Sequence, residues 1–162
     1  MNLTDNRIFY TNKKYSLYIN LLIVRGDNMN RESLIFMRVS QLQRQLLANS
    51  ATVLQQVGIT NAQYDILNYV YNHTGRTQKE LATTLVVTKG NITQIITKME
   101  RLDLIKRKQV GKAKQLFVTE NGRQIYEQIT PKLEKAHADA LANLDLTEQK
   151  QLLRLLKLAL RG

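Results

Sequence analysis

The apolar pattern of this chain changes period once, and that change limits the folds open to it. In "IKRKQVGKAKQLFV", Ile105, Arg107 and Gln109, then Lys114, Leu116 and Val118, alternate with their neighbours around Gly111. Alternation on both sides of a glycine predicts a β-hairpin with basic strands and a glycine-bearing tip. On either side the apolar residues recur at three and four, as in amphipathic helices. One proline, seven glycines and no internal repeat complete the picture of a mainly α chain carrying one small hairpin.

The helices can be placed by their stripes and punctuation. From about Asn30 to Val57, Leu34, Met37, Leu42, Leu46, Leu47, Val53, Leu54 and Val57 share a broad stripe that Gly58 ends. "ITNAQYDILNYVYNH" restarts with Thr60 and Gln63 spaced as a capping box, turns Tyr64, Leu67, Val70 and Tyr71 inward, and stops at Gly75. "TQKELATTLVV" repeats the box with Thr77 and Glu80 and faces Leu81, Ala82 and Leu85 inward. The next helix, capped by Thr88, runs to about Leu102 with Ile92, Ile95, Ile96 and Met99 on its buried side. After the hairpin, Thr119 caps a long helix bent at Pro131, and a last amphipathic helix begins near Thr147. Two helices followed directly by a hairpin make the winged form of a helix-turn-helix. Ala82 supplies the small residue where its helices press together, and Leu81, Leu85, Val87, Ile92 and Ile95 fill the apolar positions. The turn falls at Val86, where a positive φ would strain a β-branched residue.

Charge gives the first functional indication. The chain carries +11, and residues 76–118 alone hold ten Lys/Arg against three Asp/Glu. Basic residues that only solvated helix faces would be spread evenly; this concentration over the hairpin and the preceding helices favours a polyanionic partner, nucleic acid first. The helix from Thr88 presents Lys89, Asn91, Thr93, Gln94, Thr97 and Lys98 between its apolar positions, with no acid among them.

The register of "RTQKELATTLVVTKGNITQIITKMERLDLIKRKQVGKAKQLFVTENG" resembles the MarR family of bacterial transcription regulators, and the similarity extends from Asn30 to Leu160. It implies a winged helix-turn-helix over about 60–120, within one domain spanning 30–162. Helices at about 30–57 and 120–160 would then serve dimerisation. It further implies a homodimer reading a pseudo-palindrome, commonly as a repressor released by a small aromatic or phenolic effector. Three departures stand out. The family's Asp-x-Arg near the wing tip falls on Val110 and Lys112, the wing is short, and a common arginine of the recognition helix is Gln94.

On this reading Thr88, Lys89, Gly90, Asn91, Thr93, Gln94 and Lys98 face the major groove, where Asn and Gln suit adenine. Gly90 admits a second reading, as a tolerated helical glycine. Arg76, Thr77, Gln78 and Lys79 sit where a helix N-terminus favours phosphate. Lys108, Lys112 and Lys114 on the wing add affinity that falls with salt. The six leucines Leu152, Leu153, Leu155, Leu156, Leu158 and Leu160 exceed one contact stripe and suggest burial against both the chain itself and a partner. Tyr64, Tyr69, Tyr71 and Phe36 are candidates to line an effector pocket, although aromatics at helical spacing are more often core; the effector residues stay unassigned.

Other classes find little support. Zero cysteines exclude disulfides and thiolate chemistry. His73 and His137 lack companions for a metal site. No catalytic constellation or phosphate loop is present, so neither an enzyme nor a cofactor is expected. No apolar run is long enough for a membrane span, and Leu17–Val24 lacks a signal-peptide cleavage site. A cytoplasmic location fits. The chief alternative is a winged-helix module that binds protein without specific DNA binding. Residues 1–28 admit two readings: an extension, or an upstream region read in frame. Arg25-Gly26-Asp27 can be encoded by a purine-rich, ribosome-binding type of sequence just before Met29.

Overall fold

A computed structural model describes residues 30–85, 89–111 and 113–161, without the side chains of Lys89 and Asn91. The expectations for residues 1–28, Val86, Val87, Thr88 and Lys112 lie outside the described residues. The elements are α1 (Arg31–Gln55), α2 (Asn61–Asn72), α3 (Gln78–Thr84), α4 (Lys89–Arg101), β1 (Ile105–Val110), β2 (Ala113–Val118), α5 (Glu120–Ala140) and α6 (Leu146–Ala159). The fold is mainly α with one antiparallel hairpin, as the change of period predicts.

The chain divides into two compact units at Arg44/Gln45. In the first, Asn30 starts α1 by accepting the Ser33 amide on its side-chain oxygen at 2.9 Å, a cap that stripe-reading did not reveal. Leu34, Ile35, Phe36 and Val39 are all exposed there.

In the second unit the capping boxes at Thr60/Gln63 and Thr77/Glu80 are both formed. Thr119 caps α5 through the Gly122 amide. The cap of α6 is Asp145, with Glu148 completing a third box. Gly58 follows α1 at φ +70, a left-handed conformation that costs glycine least at a helix end. α5 continues through Pro131, which lacks the amide for its own helical bond. Leu54, Ile66, Leu67, Val70, Leu81, Ile92, Ile96, Met99, Leu104, Ile105, Leu116, Ile129 and Leu133 form one buried cluster. Burial contributes roughly 1.5–3 kcal/mol for each large side chain. The inward face of α2 is Gln63, Ile66, Leu67 and Val70, so Tyr64 and Tyr71 are half-buried flanks of that face rather than its centre.

β1 and β2 pair Ile105 with Val118, Arg107 with Leu116 and Gln109 with Lys114, so these six residues share a face. Gly111 makes the tip at φ +59. A third segment joins the hairpin: Gly75 donates to the Leu116 carbonyl at 3.1 Å, Leu116 donates to the Arg76 carbonyl at 2.9 Å, and Thr77 bridges Gln115. The chain entering α3 is thereby fastened to β2.

Behind the hairpin, the end of α4 and the start of α5 are locked together. Asp103 takes φ +50, returning the chain into β1. The Thr119 amide donates to the Leu104 carbonyl at 3.2 Å, and its hydroxyl donates to the Asp103 carbonyl at 2.5 Å. Gly122 sits so close that a Cβ there would lie 2.0 Å from the Leu104 oxygen.

Candidate nucleic-acid interface

The buried stripe of α4 holds the helix in place and leaves its other side to solvent. Ile92, Ile96 and Met99 have no exposed surface, Ile95 is half-buried, and Thr93, Gln94, Lys98 and Arg101 are exposed. No described exposed side chain of α4 is acidic. Its one acid, Glu100, is half-buried and turned to β1, where it accepts the Arg107 amide at 3.2 Å and the guanidinium at 2.6 Å. Among the described residues a Cβ on Gly90 would meet nothing within 4 Å, so none of them requires glycine there.

The start of α3 is already occupied. Glu80 accepts the Thr77 amide and hydroxyl, both at 2.8 Å, and pairs with Arg76 at 2.9 Å. The Thr77 amide first, then its hydroxyl and Arg76, hold the Glu80 carboxyl down to about 2. Arg76 and Thr77 thus contact a carboxylate at the start of α3, and both Arg76 and Lys79 are exposed. Gln78 reaches α4, donating to the Thr93 hydroxyl at 2.5 Å. Gln78, Lys79, Ala82 and Thr93 line one open depression of about 310 Å³. Gln78, Lys79 and Thr93, chosen on two different helices, thus come together in space.

The wing separates residues that the sequence grouped. Register puts Lys114 on the face of Gln109 and Arg107, and Lys108 on the opposite face beside Phe117. The Lys108 ammonium lies 5.4 Å from the Phe117 ring centroid, an arrangement attractive to the cation. Both lysines are exposed, as is Lys106, which the sequence reading passed over. Glu100 and Arg107 were also missed. They cancel in a count of charge, and only the α4–β1 packing shows that they face each other.

Two of the candidate effector tyrosines, Tyr64 and Tyr71, pack from α2 against Tyr126 of α5, while Tyr69 stacks within α2's own end. Tyr71 stacks on Tyr126 at 4.0 Å, Tyr64 lies 6.0 Å from Tyr126, and Tyr69 stacks on His73 at 4.7 Å. Thr130 gives its hydroxyl proton to the Tyr126 carbonyl, so Tyr64 is the donor in its 3.0 Å bond to Thr130. Burial raises the Tyr64 pKa above the ordinary phenol value. The bond to Glu127 does the same for Tyr71. Phe36 belongs to the first unit and is exposed. His137 bonds Ser50 at 2.9 Å, and His73 bonds the Tyr69 carbonyl at 3.1 Å. Among the described residues no group of three or more His, Asp or Glu could hold a metal, and no helix is long and apolar enough to cross a membrane.

Comparisons with known proteins agree with this architecture. Residues 57–115 match the MarR family. An HTH-type transcriptional regulator of Bacillus cereus is 32% identical over 127 residues, covering 76% of this chain and 85% of the relative. A crystal structure of a mutant MarR from E. coli complexed with operator DNA superposes with a TM-score of 0.75 at 22% identity, covering 83% of this chain and 99% of that one. A Mycobacterium tuberculosis MarR family protein complexed with salicylic acid gives a TM-score of 0.62 at 21% identity, covering 82% and 97%. The match over the helix-turn-helix and the extent of the B. cereus similarity settle the classification: the chain is a transcriptional regulator, not an enzyme, and belongs to the MarR family.

Proposed function

We propose that the chain is a homodimeric repressor that binds a pseudo-palindromic DNA duplex and answers to a small aromatic or phenolic acid. The observation that carries the DNA reading is the outward side of α4. Thr93, Gln94 and Lys98 are exposed on it, its acid is turned away, and the basic wing follows directly. Gln94 and Lys98, one turn apart, are the base-reading pair on this account, joined by Lys89 and Asn91 from the sequence. Lys79, Lys108 and Lys114, with Lys112 from the sequence, contribute phosphate contacts. Lys106 adds a further cation to that set. A duplex-binding regulator of this kind acts in the cytoplasm.

Homodimerisation is supported by the leucines left open on α6, where Leu146, Leu153, Leu155 and Leu158 are all exposed, as is Leu160 just past its end. One head reads few base pairs, and a second head related by symmetry supplies the rest. The effector reading rests on the similar protein crystallised with salicylic acid, and no pocket is assigned to it.

Selection of bound duplexes from a random pool, followed by titration across a salt series, tests the reading. The expected result is an inverted repeat with half-sites about one helical turn apart. Binding should be saturable, with log affinity falling linearly in log salt. Weak, non-saturating binding that is equal on all sequences would favour the protein-binding module instead. Adding salicylate to the complex tests the effector arm, with release expected.

A further inference from the structure

Four side chains from three elements form a continuous chain of polar contacts across the head. Glu100 of α4 accepts the Arg107 guanidinium at 2.6 Å and also the Arg107 backbone amide at 3.2 Å. The other guanidinium nitrogen of Arg107 reaches the Gln78 side-chain oxygen at 3.5 Å. Gln78 in turn donates its amide nitrogen to the Thr93 hydroxyl at 2.5 Å. The path leaves the recognition helix near its end, crosses the root of the wing and the first residue of α3, and returns to the same helix two turns earlier. Both members of the ion pair keep only about a quarter of their side-chain surface, 25% for Arg107 and 28% for Glu100. The pair is therefore screened less than a surface bridge. Arg107 lies on the hairpin face that carries Gln109 and Lys114 towards the tip.

We infer that Glu100, Arg107 and Gln78 are positioning residues that fix the wing against the recognition helix, so that both meet one duplex in a single register. The planar guanidinium has donors on two edges, and here each edge is tied to a different helix. Gln78 thereby leaves the set of phosphate contacts: its oxygen faces Arg107 and its nitrogen faces Thr93. The two-point hold of Glu100 on Arg107, backbone and side chain together, aims β1 as a strand as well as anchoring one side chain. This inference rests on the proposed DNA binding and assigns no DNA contact to the three residues.

The test is a set of double-mutant cycles on full-length protein with the operator selected above, read by fluorescence anisotropy. E100Q removes the ion pair at nearly constant shape, K108A/K114A removes two of the wing's lysines, and Q94A alters the base-reading side. If the hold aims the wing, E100Q and K108A/K114A each weaken binding, about tenfold, and their combination is no worse than the wing variant alone. E100Q combined with Q94A multiplies, because distant independent sites add in free energy. E100Q also flattens the salt dependence as the wing variant does. Full multiplication of E100Q with the wing variant, or E100Q affinity within twofold of wild type, would overturn the inference. Thermal melts identify any variant that fails to fold. Q78A, which leaves the ion pair intact, then serves in its place, with the same non-additivity expected and full multiplication overturning. Failure of wild type to select any operator would instead defeat the DNA reading.

Discussion

At the scale of single residues, Gly122 is the least replaceable position near the interface. Its absent side chain is what lets the first turn of α5 lie against the Leu104 carbonyl; a methyl group would sit 2.0 Å from that oxygen. The obstacle is backbone, which cannot swing aside as a side-chain end does. Gly122→Ala is expected to destabilise the fold by about 3 kcal/mol, in the upper range for overpacked sites. A denaturant melt checks this, and a change under 1 kcal/mol would show that the junction can relax. Little of this close approach is legible in "VTENG", where the residue reads as an ordinary early-helix glycine. The capping threonines are different: Thr60, Thr77 and Thr119 were readable because a cap bonds residues only three positions away. Asp145 was not singled out as a cap, because the last helix was read only from about Thr147, two residues on.

At the scale of elements, α3 carries its own pH dependence. The Glu80 carboxyl titrates at about 2, below its ordinary value, so the folded helix holds fewer protons than the unfolded chain at mildly acid pH. Its stabilising contribution is present above the unfolded pKa and disappears as pH falls through the folded one. Melting temperatures of wild type and Glu80→Gln should therefore differ most near neutrality and converge between about pH 5 and pH 2. A gap that stays constant across that window would show that the carboxylate does not hold the helix start. The hairpin, including its inward and outward faces, follows directly from the period-two pattern. The contacts between elements do not, because they depend on how helices cross. Thus Glu100 and Arg107 look like two ordinary charges in "MERLDLIKR".

At the scale of the whole molecule, the exposed leucines of α6 bear on the proposed homodimer. Four large apolar side chains on one 14-residue helix are costly to leave in water. Sedimentation should show wild type as a dimer, and Leu155→Asp with Leu158→Asp should shift it to monomer and abolish cooperative binding to the full inverted repeat. A monomeric wild type at micromolar concentration would remove the symmetric-operator reading while leaving single-head binding possible. The chain's family membership was legible in its motif register, and the excess of leucines in the last helix already suggested a partner-facing surface; the structure adds which of those leucines are exposed. The wing tip bears on how such a chain can diversify. Gly111 turns at φ +59 with nothing within 4 Å of where a side chain would begin. Val110 and Gly111 are exposed, so a change of length at that turn is expected to alter the reach of the wing while sparing the buried cluster. On the proposed DNA reading, such a change would rewrite what the wing touches without refolding the head.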